Sequence, residues 1–349
     1  MNKDLTVLGI ETSCDETSAS VVVNGRKVLS CVIESQINIH RIFGGVVPEV
    51  ASRNHVEAID RVVKLALKEA NLTLQDIDLI GVTYGAGLVG ALLVGVSYAK
   101  SLSQASNIPL IAVNHIEGHC CANYITHSEL TPPFISLMVS GGHTAISLVE
   151  DYLTYTTLSS TVDDAIGEAF DKVARLLGLP YPGGPEIDRL AKLGSNVLPF
   201  PSILLSNFNF SYSGIKTAVA NYINNSLSRG LEPSSQDICA SFTFNAIDGL
   251  ITAVTHFAKL YNLNKIAFSG GVSANSYLRS RAQELAKQGY LIYLPELKYC
   301  TDNGAMIASR AYFQYVAGGQ TAELTLNAEP TLKLRGEISK KIQRNKISK

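Results

Sequence analysis

Two stretches of the chain share one plan, and that plan restricts the fold more than any other feature. In LTVLGIETSCDETSASVVV, apolar runs at 5–10 and 19–23 flank a polar turn. In FISLMVSGGHTAISLV, runs at 135–139 and 145–149 flank Ser140-Gly141-Gly142-His143-Thr144. Each reads as a β-hairpin, because short apolar runs joined by turn residues suit antiparallel pairing. A third glycine turn, in KIAFSGGVSANSYLRSR, follows a strand at 266–269 and leads into a helix starting near Ala274. Between the hairpins, VEAIDRVVKLALKEA carries apolar residues at helical spacing. LIGVTYGAGLVGALLVGVSYAKSL reads as strand, glycine turn and helix, and PLIAVNHIEGHCCANYI as a strand feeding a helix. Two hairpin-led halves predict a duplicated α/β architecture, two domains around a central cleft. Domain I is expected over 1–131. Pro132-Pro133 make a crossover, since proline resists helix and sheet continuation. Domain II then covers 132–302, a C-terminal helical segment at 303–325 packs back on domain I, and 333–349 forms a basic tail.

The 349 residues are 46% apolar and 17% charged, ample material for two cores. A net charge of −1 argues against a protein that coats itself with nucleic acid by bulk electrostatics. The charge is unevenly placed, however: residues 333–349 hold seven Lys or Arg against Glu337 alone, a local +6 that leaves −7 for the rest. Such an end is either a solvated tail or a handle for a polyanion, with Lys340, Lys341 and Arg344 as candidate phosphate contacts. The six cysteines form no C-x-x-C pair, which suggests a reducing compartment. No signal peptide is evident at the N-terminus, and no apolar run reaches a membrane span without Gly or polar interruption. A soluble, cytoplasmic protein is expected.

Phosphate binding needs backbone N–H groups turned toward one point, and glycine permits that backbone. The Ser140–Thr144 turn between strands suits this role, as does Ser269-Gly270-Gly271 ahead of a helix N-terminus. Either is equally readable as a plain tight turn. No G-x-x-x-x-G-K-[ST] stretch is present, so a P-loop is excluded. The glycines between Gly85 and Gly95 resemble a dinucleotide fingerprint only superficially; helix packing explains them better.

In NHIEGHCC, Asn114 can cap a helix that starts at His115. At 100° per residue, His115 and His119 lie roughly 40° apart on one face, able to share a metal ion. The zinc-peptidase pattern H-E-x-x-H needs its glutamate directly after the first histidine. Glu117 instead falls at roughly 200°, opposite the histidine face, so peptidase chemistry fails on geometry. Two histidines make an incomplete site. Asp302, in YCTDNGAMIA, is a candidate third ligand at the end of a predicted strand and the start of a helix. Cys120 and Cys121 are nearer in sequence, with buried core thiols as their ordinary reading. Asp15 and Glu16, on the first hairpin turn, are candidate acid/base groups. Asp171 and Asp188 flank a Pro/Gly loop, placed to hold ribose hydroxyls or simply to face solvent. Lys216 is open between a phosphate contact and a surface lysine.

Together GIETSCDETSASVV, SQINIHRIFGGVVPEVASRNH, NHIEGH, VSGGHT, DDAIGEAFDKVARLLGLPYPGGPEID, FSYSGIKTAV, FSGGVSAN and CTDNGAMIA resemble the TsaD family, the tRNA adenosine threonylcarbamoyltransferases. The likeness runs from about Leu5 to Ala317. It implies the duplicated actin/Hsp70/sugar-kinase (ASKHA) fold. It also implies transfer of a threonylcarbamoyl group from L-threonylcarbamoyl-adenylate to N6 of adenosine 37 in tRNAs reading ANN codons, with release of AMP. By resemblance, His115, His119 and Asp302 bind one divalent metal, Fe2+ or Zn2+. Val139, Ser140, Gly141, Gly142, His143, Asp171, Gly184, Asp188 and Asn275 would hold the adenylate, and Asp15 and Glu16 match an acidic catalytic pair. The implied partners are tRNA, a paralogous ASKHA-fold protein and a small ATPase, TsaB- and TsaE-like. One departure is TYGAGLVG, where the family reads Gly-Pro-Gly; Ala86 in place of proline is expected to loosen that turn. The two cysteines after His119 stand where the family has apolar residues. The rival readings are an ASKHA-type ATPase or phosphotransferase, which needs no histidine pair with Asp302, and a non-catalytic scaffold subunit, which lacks the metal ligands.

Overall fold

The structure, a computed structural model, describes residues 4–334. Lys340, Lys341, Arg344 and the rest of the expected basic tail beyond Leu334 lie outside the described residues. The chain forms two compact units, the first from residues up to 132 with 149–156 and 295–334, the second from 133–148 with 157–294. Residues 295–302, read from sequence as the end of domain II, therefore belong to the first unit.

The first unit is built on a five-stranded sheet. Its strands are β1 (Thr6–Glu11), β2 (Glu16–Val23), β3 (Lys27–Ser35), β4 (Leu79–Gly85) and β5 (Leu110–Asn114), in the order β3-β2-β1-β4-β5. β1 pairs antiparallel with β2 and parallel with β4, so the hairpin opens a sheet that continues by parallel crossovers. Alternation along β1 divides the core. Leu8 and Ile10 face a cluster with Val62, Val63 and Val96 from the helices Pro48–Glu69 and Val89–Ser106. Val7 faces the other side, with Met306 and Ile307 of the helix Gly304–Val316. That helix lies unusually near the sheet: a Cβ on Gly9 would come 2.1 Å from Gly304 O and 2.5 Å from Ala308 N. The second unit repeats the design with β6 (Phe134–Val139), β7 (Thr144–Val149), β8 (Tyr155–Ser160), β9 (Lys265–Ser269) and β10 (Leu291–Tyr293), in the order β10-β9-β6-β7-β8. Read from each hairpin, the two sheets have the same strand order, which is the duplication expected from the sequence.

The third strand of each unit, β3 and β8, was not visible in the apolar pattern, because β3 is only partly buried and β8 is rich in Thr and Ser. The helix expected near Ala274 starts later: residues Gly271–Ala274 form a 3-10 turn, and Asn275 caps the helix Ser276–Lys287. The last helix ends at Val316, short of 325. Among the described residues one helix, Ser235–Leu260, is long and apolar enough to cross a membrane, although its sequence is broken by polar residues. Much of it is buried in the second unit's core, where Phe242, Leu250 and Val254 pack.

His55 ties the first hairpin turn to the helix Pro48–Glu69. Its Nε2–H donates to Cys14 O at 2.9 Å, and its Nδ1 accepts the Thr17 hydroxyl at 2.7 Å. Burial holds its pKa below the ordinary 6.5. The unfolded chain therefore takes up a proton at a pH where the folded chain does not, so stability falls as pH drops below about 6.5. Urea midpoints measured between pH 8 and pH 5 are expected to fall more steeply for the wild type than for His55→Gln; parallel profiles would refute this.

Candidate active site

Asn114 closes β5 and caps the next helix, its side chain accepting Ile116 N–H at 2.9 Å. This fixes the first turn of the helix His115–Thr126 and sets both histidines inward, with His115 at 6% and His119 at 1% exposure. Their rings meet edge to face at 4.6 Å. Asp302 arrives from 187 residues further along the chain. It follows a 3-10 turn, Leu297–Tyr299, where a strand was expected, and precedes the helix Gly304–Val316. Asn303 caps that helix through Met306 N–H, and Gly304 N–H donates to Ser18 Oγ at 2.8 Å, so the start of the helix is held in place. Asp302 Oδ1 lies 3.0 Å from His119 Nε2 and 3.6 Å from His115 Nε2. One candidate ligand atom from each of the three residues lies within 4.8 Å of the others, the geometry of a possible metal site. The donor set fits a borderline cation. His119 is buried and neither ring nitrogen has an aligned hydrogen bond among the described residues; an ion bound at Nε2 would satisfy one of them.

The remaining residues of this helix have other duties. Glu117 points away, as its helical angle requires, into a fully buried pair with Arg310 (Nε to Oε2 2.8 Å). Arg310 also donates to Tyr152 O at 2.9 Å. Cys120 and Cys121 are buried, and burial pushes the Cys121 thiol up to about 12, the behaviour of core thiols.

Around the hairpin turn the charges are dense. Glu11, at the end of β1, is fully buried, and Ser13 N–H and the Thr83 hydroxyl donate to it at 2.5 Å each. Burial works against the charge on His115, but Asp302 and Glu11 outweigh it and raise its pKa to about 9. Burial, Asp302 and Asp15 together push the Glu16 carboxyl well above its usual range, while Ser35 Oγ donates to it at 3.2 Å. Burial and the carboxylates of Asp15, Asp302 and Glu16 also keep Cys14 a thiol. The glycine turn with Ala86 is tied down: Gly87 N–H donates to Pro330 O, Leu88 N–H donates to Ser13 O, and Ala86 itself is buried.

The second unit gathers the other candidates. Ser140 N–H donates to His143 O at 2.8 Å, and His143 N–H donates to Ser140 Oγ at 3.1 Å, a tight turn at the end of β6. Side chains added at Gly141, Gly142 or Gly184 would meet nothing within 4 Å, so packing does not require these glycines. Gly167 is different: its Cβ would lie 2.7 Å from Gly141 Cα, so only glycine lets the helix Ile166–Leu176 abut the turn. Val139 is fully buried and offers only its backbone. Asp171 accepts Gly183 N–H at 2.7 Å, and Asp188 accepts both the N–H and hydroxyl of Ser276. A cavity of about 330 Å³ opens beside Asp188 and Ser276, lined also by Thr243, Phe244 and Tyr277. The hydroxyl of Thr243 is buried there without a partner among the described residues. Lys216 pairs with Asp164 and so is neither a free surface lysine nor part of this cavity.

Comparison with known proteins decides the family. The model of TsaD, tRNA N6-adenosine threonylcarbamoyltransferase, matches residues 27–309. A tRNA N6-adenosine threonylcarbamoyltransferase of Clostridium novyi is 55% identical over 342 residues, covering 96% of this chain and 99% of its own. One from Clostridium kluyveri is 52% identical at the same coverage. The chain belongs to the TsaD family. It is thereby a transferase of a tRNA-modifying family. Full-length HypF in its phosphate- and nucleotide-bound form shares the fold at a TM-score of 0.60 and 17% identity, over 90% of this chain and 47% of that one. The Acidaminococcus fermentans (R)-2-hydroxyglutaryl-CoA dehydratase component A does so at 0.53 and 15%, over 89% and 99%. These likenesses place the two repeated sheets in the ASKHA class.

Sequence reasoning passed over Glu11, Arg310 and Gly167 in this TsaD chain. Glu11 sits within an apolar strand, Gly167 within an ordinary helix, and Arg310 is one basic residue in an apolar helix. Only the fold reveals their partners. Removing Glu117 strands a buried guanidinium, so Glu117→Ala is expected to cost about 3–5 kcal/mol in chemical unfolding while leaving metal uptake per folded chain unchanged. Lost uptake in the folded variant would return Glu117 to the site.

Proposed function

We propose that the chain transfers the threonylcarbamoyl group of L-threonylcarbamoyl-adenylate to N6 of adenosine 37 in tRNAs that read ANN codons. The observation that carries this reading is the convergence of His115, His119 and Asp302 in a chain of the TsaD family. In the reaction N6 attacks the carbamoyl carbon, a C–N bond forms, the C–O bond to phosphate breaks, and AMP leaves with the electron pair. The two histidines and Asp302 would hold one divalent ion, Fe2+ or Zn2+. When bound, it supplies Lewis acidity toward the donor. The amides of the Val139–His143 turn suit the donor phosphate, and Gly184, next to the Gly183 whose N–H Asp171 accepts, leaves open space in the first turn of its helix. Asp188 suits the ribose together with Asn275, which is 8% exposed at the adjoining helix cap. The cavity beside Asp188 has the aromatic walls and unpaired hydroxyl that a purine needs.

Asp15 and Glu16 stand as the groups that receive the proton lost by N6. An anhydride of a carbamic acid and a phosphate is already activated, so alignment and proton removal are what remain for the protein. A phosphotransferase of the same fold has no use for the histidine and aspartate trio, and a scaffold subunit would not keep it. The partners expected are tRNA with TsaB- and TsaE-like proteins, in the cytoplasm. The test is incubation of the protein with tRNA, threonylcarbamoyl-adenylate and those partners, followed by nucleoside mass spectrometry. Threonylcarbamoyladenosine is expected; none formed, with metal bound and partners present, rejects the function. Asp15→Asn and Glu16→Gln are expected to lower kcat by about 100-fold or more with tRNA affinity unchanged, and full activity in both removes them from the chemistry.

A further inference from the structure

We infer that Glu11 is the positioning residue of the metal centre, fixing the ring of His115 so that its Nε2 faces His119 and Asp302. The inference rests on the metal-binding reading above and extends it to a residue that is no ligand. Glu11 is fully buried at the end of β1. Its own oxygens are held from two directions: Oε1 accepts Ser13 N–H from the hairpin turn, and Oε2 accepts the hydroxyl of Thr83 from the neighbouring strand β4. From that fixed position Oε2 lies 3.3 Å from His115 Nδ1, with Ser13 Oγ 3.0 Å from the same nitrogen.

A carboxylate accepts and never donates when ionised, so this contact makes Nδ1 the protonated nitrogen. Nε2, the nitrogen left for a metal, then faces the side where Asp302 Oδ1 stands. A buried carboxylate is a costly way to fill space unless a hydrogen-bonded partner offsets its desolvation. Here the partners are two neutral donors and the imidazole. A carboxylate behind a ligating histidine sets its tautomer, holds its ring and raises its basicity. His119 has no matching brace, since its Nδ1 has no hydrogen-bond partner among the described residues. The two histidines are thus unequal: His115 is held in place, and His119 is oriented by packing.

The test uses the full chain stripped of metal and titrated with Zn2+ against a chromophoric chelator, then with Co2+ to record its visible spectrum. The wild type is expected to take one equivalent. Glu11→Gln is expected to weaken Zn2+ binding by about 10–100-fold and to keep the wild-type Co2+ spectrum, because the ligands are untouched. Glu11→Asp keeps the charge but withdraws it by one methylene, and is expected to weaken binding in the same direction; it serves also if the glutamine variant does not fold. Melting temperatures of the metal-free proteins are recorded alongside. A purely structural Glu11 would lower those temperatures and leave affinity alone. Affinities within twofold of wild type in the folded variants overturn the proposal. Wild-type protein that takes up neither ion, or His119→Ala that binds as tightly as wild type, instead overturns the metal reading on which the proposal stands.

Discussion

A Cβ at Gly9 would stand 2.1 Å from Gly304 O, and one at Gly304 would stand 2.8 Å from Gly9 O, so strand and helix meet with no side chain between them. At this spacing the helix Gly304–Val316 can sit in one place only, and Ala308 and Ala311 continue the small-residue contact against Gly9 and Gly81. Asp302 is two residues before Gly304, and the contact therefore delivers its carboxylate to the histidine pair. A larger residue at either glycine would push the helix off the sheet and carry Asp302 with it, even though neither glycine touches a ligand.

The same helix carries Arg310, whose buried pairing with Glu117 joins it to the helix that bears the histidines. Two buried charges gain little net stability, since desolvation offsets most of their attraction. What removal of either partner exposes is an uncompensated buried charge, which is far more costly than the pair is stabilising. The close glycine contact thus seats the helix that follows Asp302, and the buried ion pair links it to the histidine helix. Glu11 and Thr83 add a third constraint from the sheet itself.

Much of this was legible in the letters alone. The paired hairpins foretold two like sheets, Asn114 foretold the cap, and the spacing of His115, Glu117 and His119 foretold which side chains share a face. The third strands escaped notice because exposed or Thr- and Ser-rich strands carry a weak apolar signal. Asp302 was sought on residue type, and its link to the histidines came from likeness to a family. Neither periodicity nor spacing could connect positions so far apart.

Local periodicity is a property of neighbouring residues, so the sequence by itself determined the hairpins, the helix start at His115 and the exclusion of Glu117 from the histidine face. Which groups converge depends on how distant elements pack, and that only the tertiary structure decided. The brace of Glu11 behind His115, the partner of Glu117 and the seat of Asp302 all arise from contacts across 72 to 286 residues of chain. Such contacts leave no periodic trace, because they are selected by fit between surfaces and not by the order of residues along either one.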